Sequence, residues 1–133
     1  MENKILRSVE AIAANKKFAV GNDLVFLSSF RESLTDLFKK KVYTPAEIEY
    51  CELFDDSLLR YASTWAAKEA VYKAVKQLDA GPLPFKKIEI LREKPSGRPF
   101  VVFHKHTGRF KISLTISHDG DYIWAVALIE INP

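Results

Sequence analysis

Apolar residues recur along this chain in two rhythms, and the change from one to the other divides it. Over residues 4–14, Ile5, Leu6, Val9 and Ile12 return at helical spacing with Lys4, Arg7 and Asn15 elsewhere around the turn, so 1–16 reads as an N-terminal helical extension. FAVGNDLVFL follows as a short apolar strand, which Gly21 and Asn22 are expected to break. Ser28 or Ser29 can then cap a helix running through Phe30, Leu34, Leu37 and Phe38 to the lysines at 39–41, whose charge suits the negative pole of a helix dipole. Thr44-Pro45-Ala46-Glu47 opens another helix: Thr44 is the N-cap, Pro45 takes the first helical position, and Glu47 stands where a capping box needs it. Asp55-Asp56-Ser57 ends that helix and caps the next, LLRYASTWAAKEAVYKAVKQL. In this longest helix Leu58, Tyr61, Ala62, Trp65, Ala66, Tyr72 and Val75 supply a broad apolar face.

Gly81-Pro82 and Pro84 stop the helical pattern, and strands take over. KKIEILR alternates, PSGRP is a turn, and PFVVFHK is a second strand with Pro99 at its start. KISLTIS and YIWAVALIEI, joined by the tight HDGD turn, form a hairpin-like pair. Helices followed by antiparallel strands give an α+β fold rather than a doubly wound one. With no repeat, linker or low-complexity tract, 1–133 reads as a single domain.

Composition narrows the function classes. A 47% hydrophobic and 28% charged chain is ordinary for a globular domain. The net charge of +3 favours an acidic partner but falls short of the basic stripe of a nucleic-acid binder. A single cysteine, Cys51, permits no internal disulfide and no cysteine-only zinc site. No run reaches the ~18 apolar residues of a membrane span. Arg7 and Glu10 interrupt the N-terminal apolar stretch as a secretory signal would not allow. The expectation is a cytoplasmic enzyme or binding module, with no nucleic-acid or membrane partner.

Four features carry candidate chemistry. Asp23 sits inside an apolar strand, where a carboxylate needs a pair, a hydrogen bond or a metal unless the strand bends there. Lys68-Glu69 and Lys73 lie on the long helix, and Glu69 and Lys73, four apart, share a face. They are either a surface ion pair or a metal-ligating carboxylate beside phosphate-binding cations. Ser96-Gly97-Arg98-Pro99 is a hairpin turn in its own right. In Ser117-His118-Asp119, at a strand end, His118 can bind phosphate or relay a proton, or be a solvated turn histidine. Ser117 and His118 do not suit a serine-protease pairing, because neighbours on a strand point to opposite faces.

Taken in order, these features resemble the holo-acyl-carrier-protein synthase family of phosphopantetheinyl transferases. The family's Gly-x-Asp strand is matched by Gly21-Asn22-Asp23, and its Phe-x-x-x-Val-(Phe/Tyr)-Thr-Pro-x-Glu junction by Phe38 to Glu47. Its (Phe/Trp)-Ala-Ala-Lys-Glu-Ala-x-x-Lys-Ala helix is matched by Trp65 to Ala74. Gly97-Arg98-Pro99 matches the Gly-(Arg/Lys)-Pro turn, and Leu114 to His118 with Asp121-Tyr122 matches the closing hairpin. The resemblance covers roughly residues 18 to 131.

The resemblance implies a phosphopantetheinyl transferase-like fold and transfer of 4′-phosphopantetheine from coenzyme A to a serine of an acidic acyl or peptidyl carrier protein. The serine would attack the β-phosphate, and adenosine 3′,5′-bisphosphate would leave. Asp23 and Glu69 would be the Mg2+ ligands, and Asp23, Glu69 and Lys73 the catalytic set. Coenzyme A contacts would come from Lys68, Lys73, Ser117, His118 and Arg98. The base would be Glu69 or a metal-bound water. A homotrimer with sites between subunits is implied by resemblance alone. Three positions depart from the pattern: Asn22 replaces an apolar residue, Ser29 stands where the family often has a carrier-docking arginine, and Asp79-Ala80-Gly81 replaces a Gly-Thr-Gly loop. The alternative reading is a carrier-binding module of the same fold with a degenerate site.

Overall fold

The nine residues Phe18–Phe26 alternate as a half-buried strand must, and this β1 turns Ala19, Gly21, Asp23 and Val25 inward. In the computed structural model of the chain, which describes residues 17–105 and 108–132, four helices follow. They are α1 (Leu27–Ser33), α2 (Asp36–Val42), α3 (Pro45–Glu52) and α4 (Ser57–Val75). Strands β2 (Ile88–Arg92), β3 (Pro99–Phe103), β4 (Phe110–Asp119) and β5 (Tyr122–Ile131) complete the α+β fold. The helical reading of 1–16 lies outside the described residues.

The first and last strands are partners. β1 pairs antiparallel with β5 from Phe18↔Glu130 to Phe26↔Tyr122, and β5 pairs with β4, giving the order β1-β5-β4. β2 and β3 form a separate antiparallel pair. The long helix α4 crosses the inner face of the three-stranded sheet, where Ala66, Ala67, Ala70, Val71 and Ala74 meet Ile123, Ala125, Ala127 and Ile129. Small residues on both sides bring helix and sheet close together.

That closeness explains Gly21. A Cβ there would lie 2.0 Å from the Ala70 carbonyl oxygen and 2.7 Å from the Ala74 nitrogen, both backbone atoms of α4. The expected break at Gly21-Asn22 is absent, since pairing with β5 continues unbroken through Gly21↔Ala127 and Asn22↔Val126. The glycine serves helix–sheet contact, not a bend. Gly21→Ala is expected to destabilise the fold by about 3 kcal/mol, the upper end of the usual cost of overpacking. The shift in urea midpoint measures it.

Three further expectations are corrected. The single helix over Phe30–Phe38 is two helices, because Leu34 leaves the helical region (φ −81°, ψ 72°). Thr35 then caps α2 by accepting from Phe38 N at 3.1 Å. The break lets Phe30 and Phe38 meet edge-on at 5.9 Å and sets Phe38 against Trp65 at 5.1 Å. No serine caps α1, which starts at Leu27 directly from β1. Asp56 holds the N-cap position of α4, but its carboxylate bonds Arg60 Nε at 3.3 Å instead of the helix amides. The capping box of α3 forms as read: Glu47 N donates to Thr44 Oγ1 at 3.2 Å and Thr44 N to Glu47 Oε1 at 2.8 Å.

Candidate active site

Where α4 crosses β1, two strand residues flank the contact, Gly21 allowing it and Asp23 exploiting it. Strand alternation puts both on the inner face, and Asp23, only 8% exposed, looks onto the helix. Lys73 reaches back across the crossing, donating to Asp23 Oδ1 at 2.9 Å and to the Asn22 carbonyl at 3.2 Å. One turn earlier on the same helix face, half-buried Glu69 lies beside Asp23, which disfavours its charged form. Asp23, Glu69 and Lys73, separated by up to 50 positions, form one cluster. The ammonium of Lys73 goes to Asp23, so the surface i,i+4 pair with Glu69 is not what forms.

The electrostatics follow from this packing. Burial pushes the Glu69 carboxyl up to about 7, and the neighbouring Asp23 adds to the rise while Lys73 opposes it. Two carboxyls share one nearby ammonium, an arrangement a divalent cation relieves. Hard oxygen donors are what Mg2+ selects, so the donor set fits it. No cluster of three or more His, Cys, Asp or Glu residues suited to a metal occurs among the described residues. An ion here would draw two ligands from the chain and the rest from substrate and water.

Lys68 is corrected. It is fully buried, with Nζ donating to Glu47 Oε1 and Oε2 at 2.7 and 3.0 Å and to the Ile88 carbonyl at 2.5 Å. Successive helix positions are turned by about 100°, so Lys68 enters the seam between α3 and β2 while Glu69 faces β1. All three ammonium protons are engaged, and none is left for a phosphate. Glu47, read only as a capping residue, also accepts from Ile90 N at 2.8 Å and ties three elements together.

His118, Ser117 and Arg98 do not join the cluster within one chain. His118 lies in register with Ile123 and Val25, on the Asp23 side of the sheet but two strands away, roughly 12 Å between Cα positions. Ser117 pairs with Trp124 on the opposite, open face, in a cleft shared with Asn22, Leu24 and Tyr122. Arg98 is exposed on the β2–β3 turn and pairs with Glu93 at 3.1 Å.

One feature escaped the sequence reading. Between α3, the start of α4 and the β2–β3 hairpin lies an open cleft of about 780 Å³. Its wall carries Tyr50, Phe54 and Phe100 with Arg60 and Arg92. The Arg60 guanidinium lies 4.0 Å from the Phe54 ring centre and that of Arg92 lies 5.1 Å from Tyr50. Burial is the main cost on the Arg92 charge and Arg60 adds repulsion. Among the described residues no carboxylate forms an ion pair with Arg92. The only signal in the sequence was an arginine at the end of an otherwise apolar alternating strand.

Known proteins share both the sequence and the shape. The chain is 34% identical over 120 residues to a holo-[acyl-carrier-protein] synthase of Koribacter versatilis, covering 83% of this chain and 95% of that protein. It is 36% identical over 120 residues to the corresponding synthase of Aquifex aeolicus, covering 84% and 97%. The structure of an ACPS–CoA complex from Chronobacterium ammoniagenes superposes with a TM-score of 0.76 at 28% identity, covering 89% of this chain and all of that one. The ACPS family model, described as the 4′-phosphopantetheinyl transferase superfamily, matches residues 19–127, from β1 into β5. By that match and these relatives, the chain belongs to the 4′-phosphopantetheinyl transferase superfamily.

Proposed function

We propose that this chain is a holo-[acyl-carrier-protein] synthase that moves 4′-phosphopantetheine from coenzyme A to a carrier-protein serine. The observation that carries the reading is the Asp23–Glu69–Lys73 cluster at the crossing of β1 and α4. Asp23 and Glu69 hold Mg2+, which when bound neutralises charge on the pyrophosphate and eases its cleavage. The Lys73 side chain is about half exposed and reaches a phosphate oxygen with little rearrangement. As the serine oxygen attacks the β-phosphate, adenosine 3′,5′-bisphosphate departs and the serine proton passes to a carboxylate. Glu69 is the freer of the two, since Asp23 is held by Lys73. Positioning and electrostatics supply most of the rate.

The remaining coenzyme A contacts come from a second copy. Arg60 and Glu69 are nine positions apart on α4, about 180° around the helix, so the arginine cleft and the carboxylate pair face away from each other. A nucleotide resting its base on the aromatic wall, with phosphate on Arg92 and the Arg98 turn nearby, meets the carboxylates only across a subunit boundary. The open face of the sheet supports such a boundary, and the homotrimer rests on the family resemblance. Phe18 is 55% exposed there, Leu24 61%, Tyr122 52% and Trp124 50%, a cluster of large apolar side chains on one face of the kind that marks an interaction surface. His118 and Ser117 stand at its margin. For the carrier, exposed Arg31, Lys40 and Lys41 on α1 and α2 offer an acidic partner contacts where Ser29 does not. Among the described residues no helix is long and apolar enough to cross a membrane, and a coenzyme A-dependent enzyme with a free, buried Cys51 suits the cytoplasm.

Intact mass of an apo carrier protein incubated with this protein, coenzyme A and Mg2+ tests the reading. A gain of one phosphopantetheine group is expected, with Arg92→Met raising the Michaelis constant for coenzyme A about tenfold. Unmodified carriers, together with coenzyme A binding that ignores Mg2+, would instead favour a degenerate carrier-binding module.

A further inference from the structure

We infer that the buried Glu47–Lys68 pair is a positioning device for the metal site, resting on the reading that Asp23 and Glu69 hold the ion. Both residues are at most 1% exposed and lie 2.7 Å apart. A buried ion pair gains little over apolar side chains of the same size, so stability alone does not account for it. What such a pair does well is fix one geometry, because only one arrangement satisfies every donor and acceptor.

Here the arrangement is fully satisfied. Glu47 accepts from Thr44 N, Ile90 N and Lys68 Nζ, while Lys68 also bonds the Ile88 carbonyl. The pair therefore ties α4 and α3 together and to two successive inward positions of β2, Ile88 through Lys68 and Ile90 through Glu47. A helix held at one position along its axis is held in rotation there as well. The next residue is Glu69, turned about 100° toward β1. Opposite the anchor α4 presents mostly alanines to the sheet, and its bonds to β1 come from Lys73 and Gln77 farther along the helix, so resistance to rotation before Glu69 comes from the buried side. The pair supplies that resistance and sets the angle at which Glu69 meets Asp23. The network continues outward, with Thr44 Oγ1 donating to Glu89 Oε2 at 2.6 Å and His104 Nε2 bonding Glu89 Oε1 at 3.1 Å.

The test replaces both members at once. Glu47→Gln with Lys68→Met keeps volume and leaves no unpaired charge, while its one side-chain oxygen accepts from only one of the Thr44 and Ile90 amides. This double variant is expected to fold, unfolding moderately below the parental temperature because one amide and the Ile88 carbonyl lose their partners. Its affinity for Mn2+, used as the spectroscopic substitute for Mg2+, should fall about tenfold, the lower end of what loss of outer-shell support costs a metal site. Its kcat should fall while the Michaelis constant for the carrier stays unchanged. A folded double variant with parental Mn2+ affinity and kcat overturns the inference. If that variant does not fold, Lys68→Arg decides, since it keeps the charge and lengthens the reach. A several-fold change in Mn2+ affinity supports the device and a parental value overturns it. A parent that binds no Mn2+ sinks the metal reading first, and kcat of the folded variants then decides the role of the pair.

Discussion

Asp23→Asn is expected to lower phosphopantetheine transfer by about 10³-fold, the scale of losing a principal electrostatic group in an active site. The fold should survive, because the substitution is isosteric and the Lys73 it leaves behind is half exposed. The second readout is the neighbour. Burial pushes the Glu69 carboxyl up to about 7, and the charge of the neighbouring Asp23 adds to the rise. Without that charge, carbon-detected titration should find the Glu69 carboxyl lower, though still raised by burial. The sign for stability follows. A carboxyl whose folded pKa exceeds its unfolded value binds more protons in the folded state between the two. Metal-free protein therefore loses stability as pH rises from the ordinary carboxyl value of 4.5 through about 7. Mg2+ should offset that loss above pH 7 in the parent and far less in Asp23→Asn. Near-parental turnover in the folded variant would remove Asp23 from the metal site.

Trp124→Arg is expected to be nearly as damaging by a different route. Trp124 lies at the middle strand of the open sheet face, 50% exposed, with Leu24 across from it. A guanidinium there costs an isolated chain little, so thermal unfolding of the monomer should change little. In an assembly packed through this face the charge is buried without a partner, and sedimentation should show dissociation. If the site is completed by a second copy, transfer falls by about 10²-fold or more, on the scale of a lost interface tryptophan. A monomeric parent, or a dissociated variant with full activity, would confine the whole site to one chain.

Much of this was legible in the residues because it depends on local chemistry. The capping box at Thr44 and Glu47 is written in four consecutive positions, and the final hairpin in strict alternation around a glycine turn. Asp23, Glu69 and Lys73 stood out because a carboxylate in an apolar strand and a carboxylate–cation face on a helix both need explaining. What stayed hidden was direction. The motif presents Lys68 and Glu69 side by side, and only the packed helix shows that one faces β1 and the other is buried against Glu47. Gly21 looked like a strand breaker because the atoms that require it belong to α4, some 50 positions away. The arginine cleft is assembled from three elements, and neither Arg60 nor Arg92 falls within a motif.

The pairing of the first described strand with the last bears on how the enzyme is made. Asp23 lies in register with Ala125, so the backbone that holds it is braced only once the final strand has been laid down. A chain leaving the ribosome already contains Glu69 and Lys73 while Asp23 still lacks its neighbour in the sheet. The pairing spans nearly the whole described length, and such long-range closure slows folding. On the proposed reading, competence arrives last, after synthesis of β5, and a product ending before Tyr122 would carry Asp23, Glu69 and Lys73 without the strand that braces their cluster.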